Sequence, residues 1–273
     1  MRTTIKLNSK GEDVKYLQKL LGLTADGVFG QKTDTTVKKF QKEHNLTADG
    51  IVGAKTWTEL EKIAATKLTT STSNNSKHVD PSIIYMPLNV HISKLQGRTI
   101  KYIAIHFTAG SSSKPGKAHE IKHVFETRKA SADFAVDDAE MVQFNPDPKN
   151  YYCWSVGDKK AAHVNVPDGR NINTISIEIC STLQKGTSLA QANHSGWSYT
   201  DKAIDNAIKL TKILMKKFNI PVERVVRHYD ISGKLCPGII GWNDGQLYDT
   251  NGKPLIGKRN NSNKWKEFKD KLK

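Results

Sequence analysis

Apolar residues recur at helical spacing in three stretches near the start of the chain. Val14, Leu17, Leu20 and Leu21 share one face, Val37 and Phe40 mark a second stretch, and Trp57, Leu60 and Ala64 a third. This predicts three short helices around a minimal core. Between them a block repeats: Leu23-Thr24-Ala25-Asp26-Gly27-Val28-Phe29-Gly30-Gln31-Lys32-Thr33 returns as Leu46-Thr47-Ala48-Asp49-Gly50-Ile51-Val52-Gly53-Ala54-Lys55-Thr56. Each copy has an Asp-Gly turn, an apolar pair and a Gly before a helical stretch, so one helix-turn-helix connection is used twice. No cluster of titratable residues accompanies the repeat, and binding is its expected task.

From Thr66 to Lys77 the chain is rich in Thr, Ser and Asn with almost nothing to bury, which predicts a solvated tether over residues 66–78 between a binding domain at 1–65 and a second domain at 79–273. In the second domain the period changes. Ile100 to Phe107 and Thr174 to Ile179 are β-rich, while Lys117 to Arg128 and Thr200 to Asn219 carry helical periodicity. In the last of these Ile204, Ala207, Ile208, Thr211, Leu214, Met215 and Phe218 form one stripe behind the capping stretch Ser198-Tyr199-Thr200-Asp201. The expected fold class is α/β: a central mixed β-sheet flanked by helices, plus a small three-helix all-α domain. Near the end, Trp265, Phe268 and Leu272 lie at helical spacing among lysines, which reads as a helix docked on the domain by that stripe rather than on a membrane.

Composition narrows the classes. A hydrophobic fraction of 37% with 25% charged residues is ordinary for a globular protein. The formal net charge of +15 implies an anionic partner. The lysines are scattered over both domains and no nucleic-acid module is present, so nucleic acid is not the expected partner. No apolar run is long enough to insert stably in a membrane, and Met1 to Asn8 has no signal-peptide core, so synthesis in the cytoplasm without an export signal is expected. The three cysteines, Cys153, Cys180 and Cys236, cannot all pair, which argues against a disulfide framework.

The chemistry sits on strands and loops. In Ile175-Ser176-Ile177-Glu178-Ile179-Cys180 the isoleucines point one way and Glu178 the other, and in Tyr102-Ala104-His106-Thr108 the same alternation sets His106 opposite Ile103, Ile105 and Phe107. Far downstream Arg227-His228-Tyr229-Asp230 is closely followed by Lys234-Leu235-Cys236-Pro237-Gly238. The two imidazoles of His106 and His228 and the thiolate of Cys236 can fill three corners of a zinc tetrahedron and leave the fourth open, the arrangement of a catalytic rather than a structural site. A rival motif, His119-Glu120-Ile121-Lys122-His123, matches the H-E-x-x-H helix of zinc endopeptidases. Its histidines fall nearly opposite the apolar stripe of Ala118, Ile121, Val124 and Phe125, however, and so face solvent.

Two resemblances draw these features together. The paired Asp-Gly turns followed by Val37-Lys38-Lys39-Phe40-Gln41 resemble the peptidoglycan-binding domain of wall hydrolases. Arg-His-x-Asp with Lys-x-Cys-Pro-Gly, together with the His106 and Glu178 strands, resembles the zinc-dependent N-acetylmuramoyl-L-alanine amidases, phage endolysins among them. The resemblance implies Zn2+ held by His106, His228 and Cys236, with Glu178 as the acidic catalytic residue and Lys234 as the basic one that steadies an oxyanion. It implies a histidine near the substrate groove at His163; Trp154, as an aromatic residue, is a further candidate for that groove, and Asp230 is a candidate to orient His228. Where some phage members carry Tyr-His-Phe this chain has Ala132-Asp133-Phe134, so a tyrosine-assisted route is not implied. The expected protein is a monomeric lytic amidase that acts on bacterial peptidoglycan after release, with anionic wall polymers as a further partner and a noncatalytic recognition protein as the alternative.

Overall fold

The helices predicted for the first stretch form at Glu12–Leu20 (α1), Gln31–Glu43 (α2) and Ala54–Thr70 (α3). They belong to a computed structural model describing residues 2–21, 23–70, 78–109, 117–157, 165–166, 168–185, 191–249 and 251–273. Chain contacts divide it into Met1–Ser73 and Asn74–Lys273. Helix α3 continues to Thr70, so the segment read as a tether from residue 66 opens with helix.

In the first unit Val14, Leu17, Val37, Trp57 and Leu60 are buried, joined by Ile5, Phe29 and Val52; Leu20, Leu21 and Phe40 are half-buried against them. Phe29 and Val52 are the inner members of the repeated apolar pairs, while Val28 and Ile51 stay exposed. The turns are locked from inside. Gln18 Nε2 donates to Asp26 Oδ1 at 2.7 Å, the Val28 carbonyl at 3.0 Å and Thr33 Oγ1 at 3.3 Å, and its oxygen accepts from Gly27 N at 2.9 Å. Gln41 repeats this on Asp49 at 2.9 Å, Ile51 at 2.9 Å, Thr56 at 3.3 Å and Gly50 at 2.9 Å. Gly27 and Gly50 both sit at φ +78°, a left-handed conformation that glycine takes without penalty.

The second unit begins with strands Ile84–Tyr85 (β1), Ile92–Lys94 (β2) and Tyr102–Phe107 (β3), then helix Ile121–Thr127 (α4). Strands Phe134–Val136 (β4), Met141–Gln143 (β5), Tyr151–Cys153 (β6), Thr174–Ile179 (β7), Thr182–Leu183 (β8) and Trp197–Ser198 (β9) precede helix Asp201–Phe218 (α5). After them come Val225–Arg227 (β10), His228–Ser232 (α6), Gln246–Tyr248 (β11), Pro254–Arg259 (β12) and Asn263–Asp270 (α7). The central sheet has the order β1-β5-β4-β7-β3-β10. It is mixed: β4, β7, β3 and β10 run parallel, while β5 is antiparallel to β4 and parallel to β1.

Strand alternation divides the residues between the two faces. Ile103, Ile105, Phe107, Ile175, Ile177 and Ile179 pack under α5 and α7 with Trp242, Trp265 and Phe268, whereas Ala104 and Cys180 join separate clusters on the other side. Helix α5 starts at Thr200, whose hydroxyl accepts from Ala203 N at 3.2 Å, and ends at Asn219 with φ 51°. Its buried face is Ala203, Ala207, Leu210, Thr211 and Leu214; Ile204, Ile208, Met215 and Phe218 of the predicted stripe pack as half-buried flanks. Trp265, Phe268 and Leu272 are buried, so the last helix is docked as expected. Among the described residues no helix is long and apolar enough to cross a membrane.

Candidate metal centre

Parallel pairing of β3 with β7 sets His106 directly beside Glu178. On the other side of β3, Arg227 pairs with Ile105, so the next residue, His228, begins α6 one step further along. Three strands thus deliver His106, Glu178 and His228 to one end of the sheet. Cys236 returns on the loop after α6, tied by Tyr229 N, which donates to the Cys236 carbonyl at 2.9 Å. Gly238 belongs to the motif because a Cβ there would press on Phe107 and Ala192.

The imidazoles of His106 and His228 lie 4.6 Å apart by ring centroids, and Cys236 Sγ is 3.7 Å from His106 Nδ1. One nitrogen from each histidine and the sulfur lie within 4.8 Å of one another, and all three residues are buried. Glu178 Oε1 is 3.9 Å from His106 Nδ1, with 16% of its side chain still exposed. His106 Nε2, His228 Nδ1 and Glu178 Oε2 are buried with no hydrogen-bond partner among the described residues.

Electrostatics describes the same enclosure. Burial holds the His106 imidazole well below its usual range, with the charges of His228 and Lys234 adding to it. His228 is pushed down to about 4 by burial and by Lys234. Burial lifts Glu178 to about 8 against the pull of Lys234. It also raises the Cys236 thiol, helped by Glu178 and opposed by the Phe107 backbone and Lys234. Lys234 itself is exposed, and its charge reaches all four groups. Neutral imidazoles with unused nitrogens beside a thiol that ionises poorly alone are costly without a cation, and nitrogen with sulfur donors suits zinc. The residues fit such an ion.

The remaining sequence-derived residues separate from this cluster. His119 lies on a 3-10 turn and its Nδ1 meets Glu140 Oε1 at 2.5 Å, while His123 is exposed on α4. The H-E-x-x-H motif, set aside on its helical face, is divided between that turn and α4, and among the described residues neither histidine belongs to a group that could hold a metal ion. Trp154 is tied to Ser131 Oγ and Ser93 Oγ, both at 2.9 Å, and its ring lies against His91. Its neighbours Ser155, Val156 and Gly157 donate to Asn171 Oδ1, just before β7 begins. That places Trp154 near the start of β7, whereas Glu178 is near its end. Trp197, another aromatic, is core, edge-on to Phe107. His163 lies outside the described residues. Asp230 holds Arg227 through its N–H and guanidinium at 2.6 to 2.9 Å, so it shapes the start of α6 rather than gripping His228. Asp133, at the position of the Tyr-His-Phe departure, is buried against Arg98, Ser176 and Asn145 and serves the fold. Sequence reasoning missed the Arg227–Asp230 pair, although their spacing of three at a helix start is a capping signal.

Comparison with known proteins agrees with this layout. A peptidoglycan binding domain model matches residues 10–60. The amidase XlyB of Bacillus subtilis (strain 168) is 34% identical over 138 residues, 50% of this chain and 37% of that protein. CwlH of the same organism is 31% identical over 137 residues, 50% of this chain and 46% of that one. The chain thus spans less than half the length of these curated relatives. A solved structure of PlyL is 25% identical, covering 57% of this chain and 86% of that one with a TM-score of 0.41. A family model described as N-acetylmuramoyl-L-alanine amidase matches residues 96–239, more than half of the sequence, with His106, Glu178, His228, Lys234 and Cys236 all inside it. The chain belongs to the N-acetylmuramoyl-L-alanine amidase family.

Proposed function

We propose that the second unit hydrolyses the amide bond between N-acetylmuramic acid and L-alanine in peptidoglycan, with zinc held by His106, His228 and Cys236. The observation that carries this reading is the convergence of those three buried side chains beside Glu178, with His106 Nε2 and His228 Nδ1 unpartnered among the described residues. Zinc bound there supplies a positive charge that polarises the amide carbonyl, acidifies water and favours the Glu178 carboxylate over its acid. Glu178 takes a proton from the attacking water as its oxygen bonds to the carbonyl carbon, then passes that proton to the alanine nitrogen as the C–N bond breaks. Lys234 offsets the negative charge that gathers on the carbonyl oxygen. The products are a muramyl carboxylate and a free N-terminal L-alanine.

The first unit, by this reading, grips peptidoglycan, and residues after α3 tether it to the second. Tethering raises the local concentration of the reactive unit at a polymer that is already held, and the +15 charge favours an anionic wall. Digestion of purified peptidoglycan with and without chelator tests the reaction. New N-terminal alanine that vanishes in chelator and in His228→Ala is the expected result. New reducing sugars, or new amino termini other than alanine, overturn it.

A further inference from the structure

The loop that carries Cys236 has no helix or strand of its own, and yet Cys236, Pro237, Gly238 and Ile239 are buried. Buried carbonyls outside regular structure need partners. The three that follow Cys236 each find an asparagine. Asn243 Nδ2 donates to the Pro237 carbonyl at 2.6 Å, the backbone N–H of Asn193 to Gly238 at 2.6 Å, and Asn260 Nδ2 to Ile239 at 3.3 Å.

The asparagines also hold one another. Asn193 and Asn243 exchange amide hydrogen bonds at 2.8 and 2.7 Å, and Asn260 donates to Asn193 Oδ1 at 3.2 Å. Each remaining amide oxygen is used: Asn243 Oδ1 accepts from Gly245 N at 2.8 Å and Asn260 Oδ1 from Gly241 N at 2.9 Å. Asn193 and Asn243 are completely buried and Asn260 nearly so. A Cβ at Gly245 would collide with Leu235 and Asn193, so the backbone is pressed against the residue before Cys236. Asn243 and Asn260 lie beyond residue 239, where the family match ends.

We infer that Asn193, Asn243 and Asn260 form a clamp that positions Cys236 as a metal ligand, so that the segment after residue 239 completes the metal centre. The inference rests on the proposed zinc site. A fully satisfied amide network in a dry setting has one good geometry, and it fixes the loop backbone from which the Cys236 sulfur projects. The asparagines touch neither substrate nor metal and act through the cysteine. Supporting shells of this kind change metal affinity by about 10- to 100-fold when removed.

The test uses the full chain loaded with cobalt(II) in place of zinc, read by the near-ultraviolet thiolate-to-cobalt charge-transfer band and by competition with a chelator. Asn243→Ala and Asn193→Ala are compared with Asn145→Ala, which removes a buried asparagine bonded to Asp133 and Tyr151, away from the loop. Asn243→Asp keeps the side-chain shape and the acceptor for Gly245 while losing both donations, so it serves if the alanine variant does not fold. The clamp predicts a weakened or shifted band and cobalt affinity lower by about 10- to 100-fold in the Asn193 and Asn243 variants, with both unchanged in Asn145→Ala. If folded Asn243 variants match the wild-type band and affinity, the clamp is wrong while the metal site stands. Absence of a thiolate band in the wild-type protein overturns the metal site and the clamp together.

Discussion

Each unit buries a polar cluster, and the two clusters are built on opposite rules. In the first unit Gln18 and Gln41 spend their amides completely on turn carbonyls, N–H groups, an aspartate and a threonine. In the second, three of the four buried side-chain atoms without a partner among the described residues belong to His106, Glu178 and His228. A satisfied network holds a shape, whereas an unsatisfied one costs free energy unless something outside the chain completes it. The amides inside the repeated turns are therefore scaffolding, and the isolated His, Glu and Cys are where the proposed chemistry lies.

The largest effect should come from breaking the unsatisfied cluster. His228→Ala or Cys236→Ser is expected to lower release of N-terminal alanine by about three orders of magnitude or more, roughly 4 kcal/mol of barrier, with the circular dichroism of the fold retained. Gln18→Ala or Gln41→Ala should do the reverse. Each leaves a buried glycine N–H unpaired and removes the amide's bonds to an aspartate and a threonine, at a cost of about 1 to 3 kcal/mol to the first unit, read by denaturant unfolding. Cleavage of a soluble muramyl peptide, which needs no grip on the wall, should be unchanged in both.

How much of this was legible follows the same division. Strand β7 coincides with the run Thr174 to Ile179, and α5 starts behind Thr200, because each pattern is local and long enough to show its period. Strands β1, β4 and β5 have two or three residues each, too few for a period. Their order around β7 depends on pairings between distant segments, such as Ala135 with Glu178. Of the site, His106, Glu178, His228 and Cys236 were readable as residue types in motifs. The partners of Asp230 and Trp154 were not, since a side chain's neighbour across the fold leaves no mark in its own spacing.

Acid-base behaviour sharpens the comparison at smaller amplitude. In metal-free protein Glu178 is lifted to about 8 by burial. Between the usual carboxylate range and pH 8 the folded state keeps a proton that the unfolded chain has lost, so stability falls as pH rises through that window. His228, held down to about 4, works the other way but only up to the ordinary histidine value. From pH 6.5 to 8 the His228 effect is therefore over and the Glu178 contribution leads, opposed only near pH 8 by Lys269, which burial pushes down to about 8. The chelated protein should lose up to roughly 2 kcal/mol over that interval, and Glu178→Gln should abolish the loss; thermal melts at the two pH values measure it. An equal loss in both proteins would place the titrating group elsewhere.

The smallest effect is expected at the motif that most resembles a metal site on paper. Glu120 and His123 are exposed, and His119 is already engaged by Glu140, whose carboxyl burial pushes up but whose bonds and charge contacts with His119 and Lys117 bring below its ordinary value. Neither histidine is a desolvated nitrogen awaiting an ion. His123→Ala and Glu120→Ala should change activity less than about twofold and stability within about 0.5 kcal/mol, since exposed positions away from buried networks tolerate truncation. His119→Ala should cost more than these because it strands Glu140, about 1 kcal/mol for a partly exposed pair, while bound metal measured by elemental analysis stays at one ion per chain. Loss of metal in His119→Ala or His123→Ala would mean that partnering and exposure do not separate structural from functional histidines in this protein, and the contrast between the two polar clusters would fall with it.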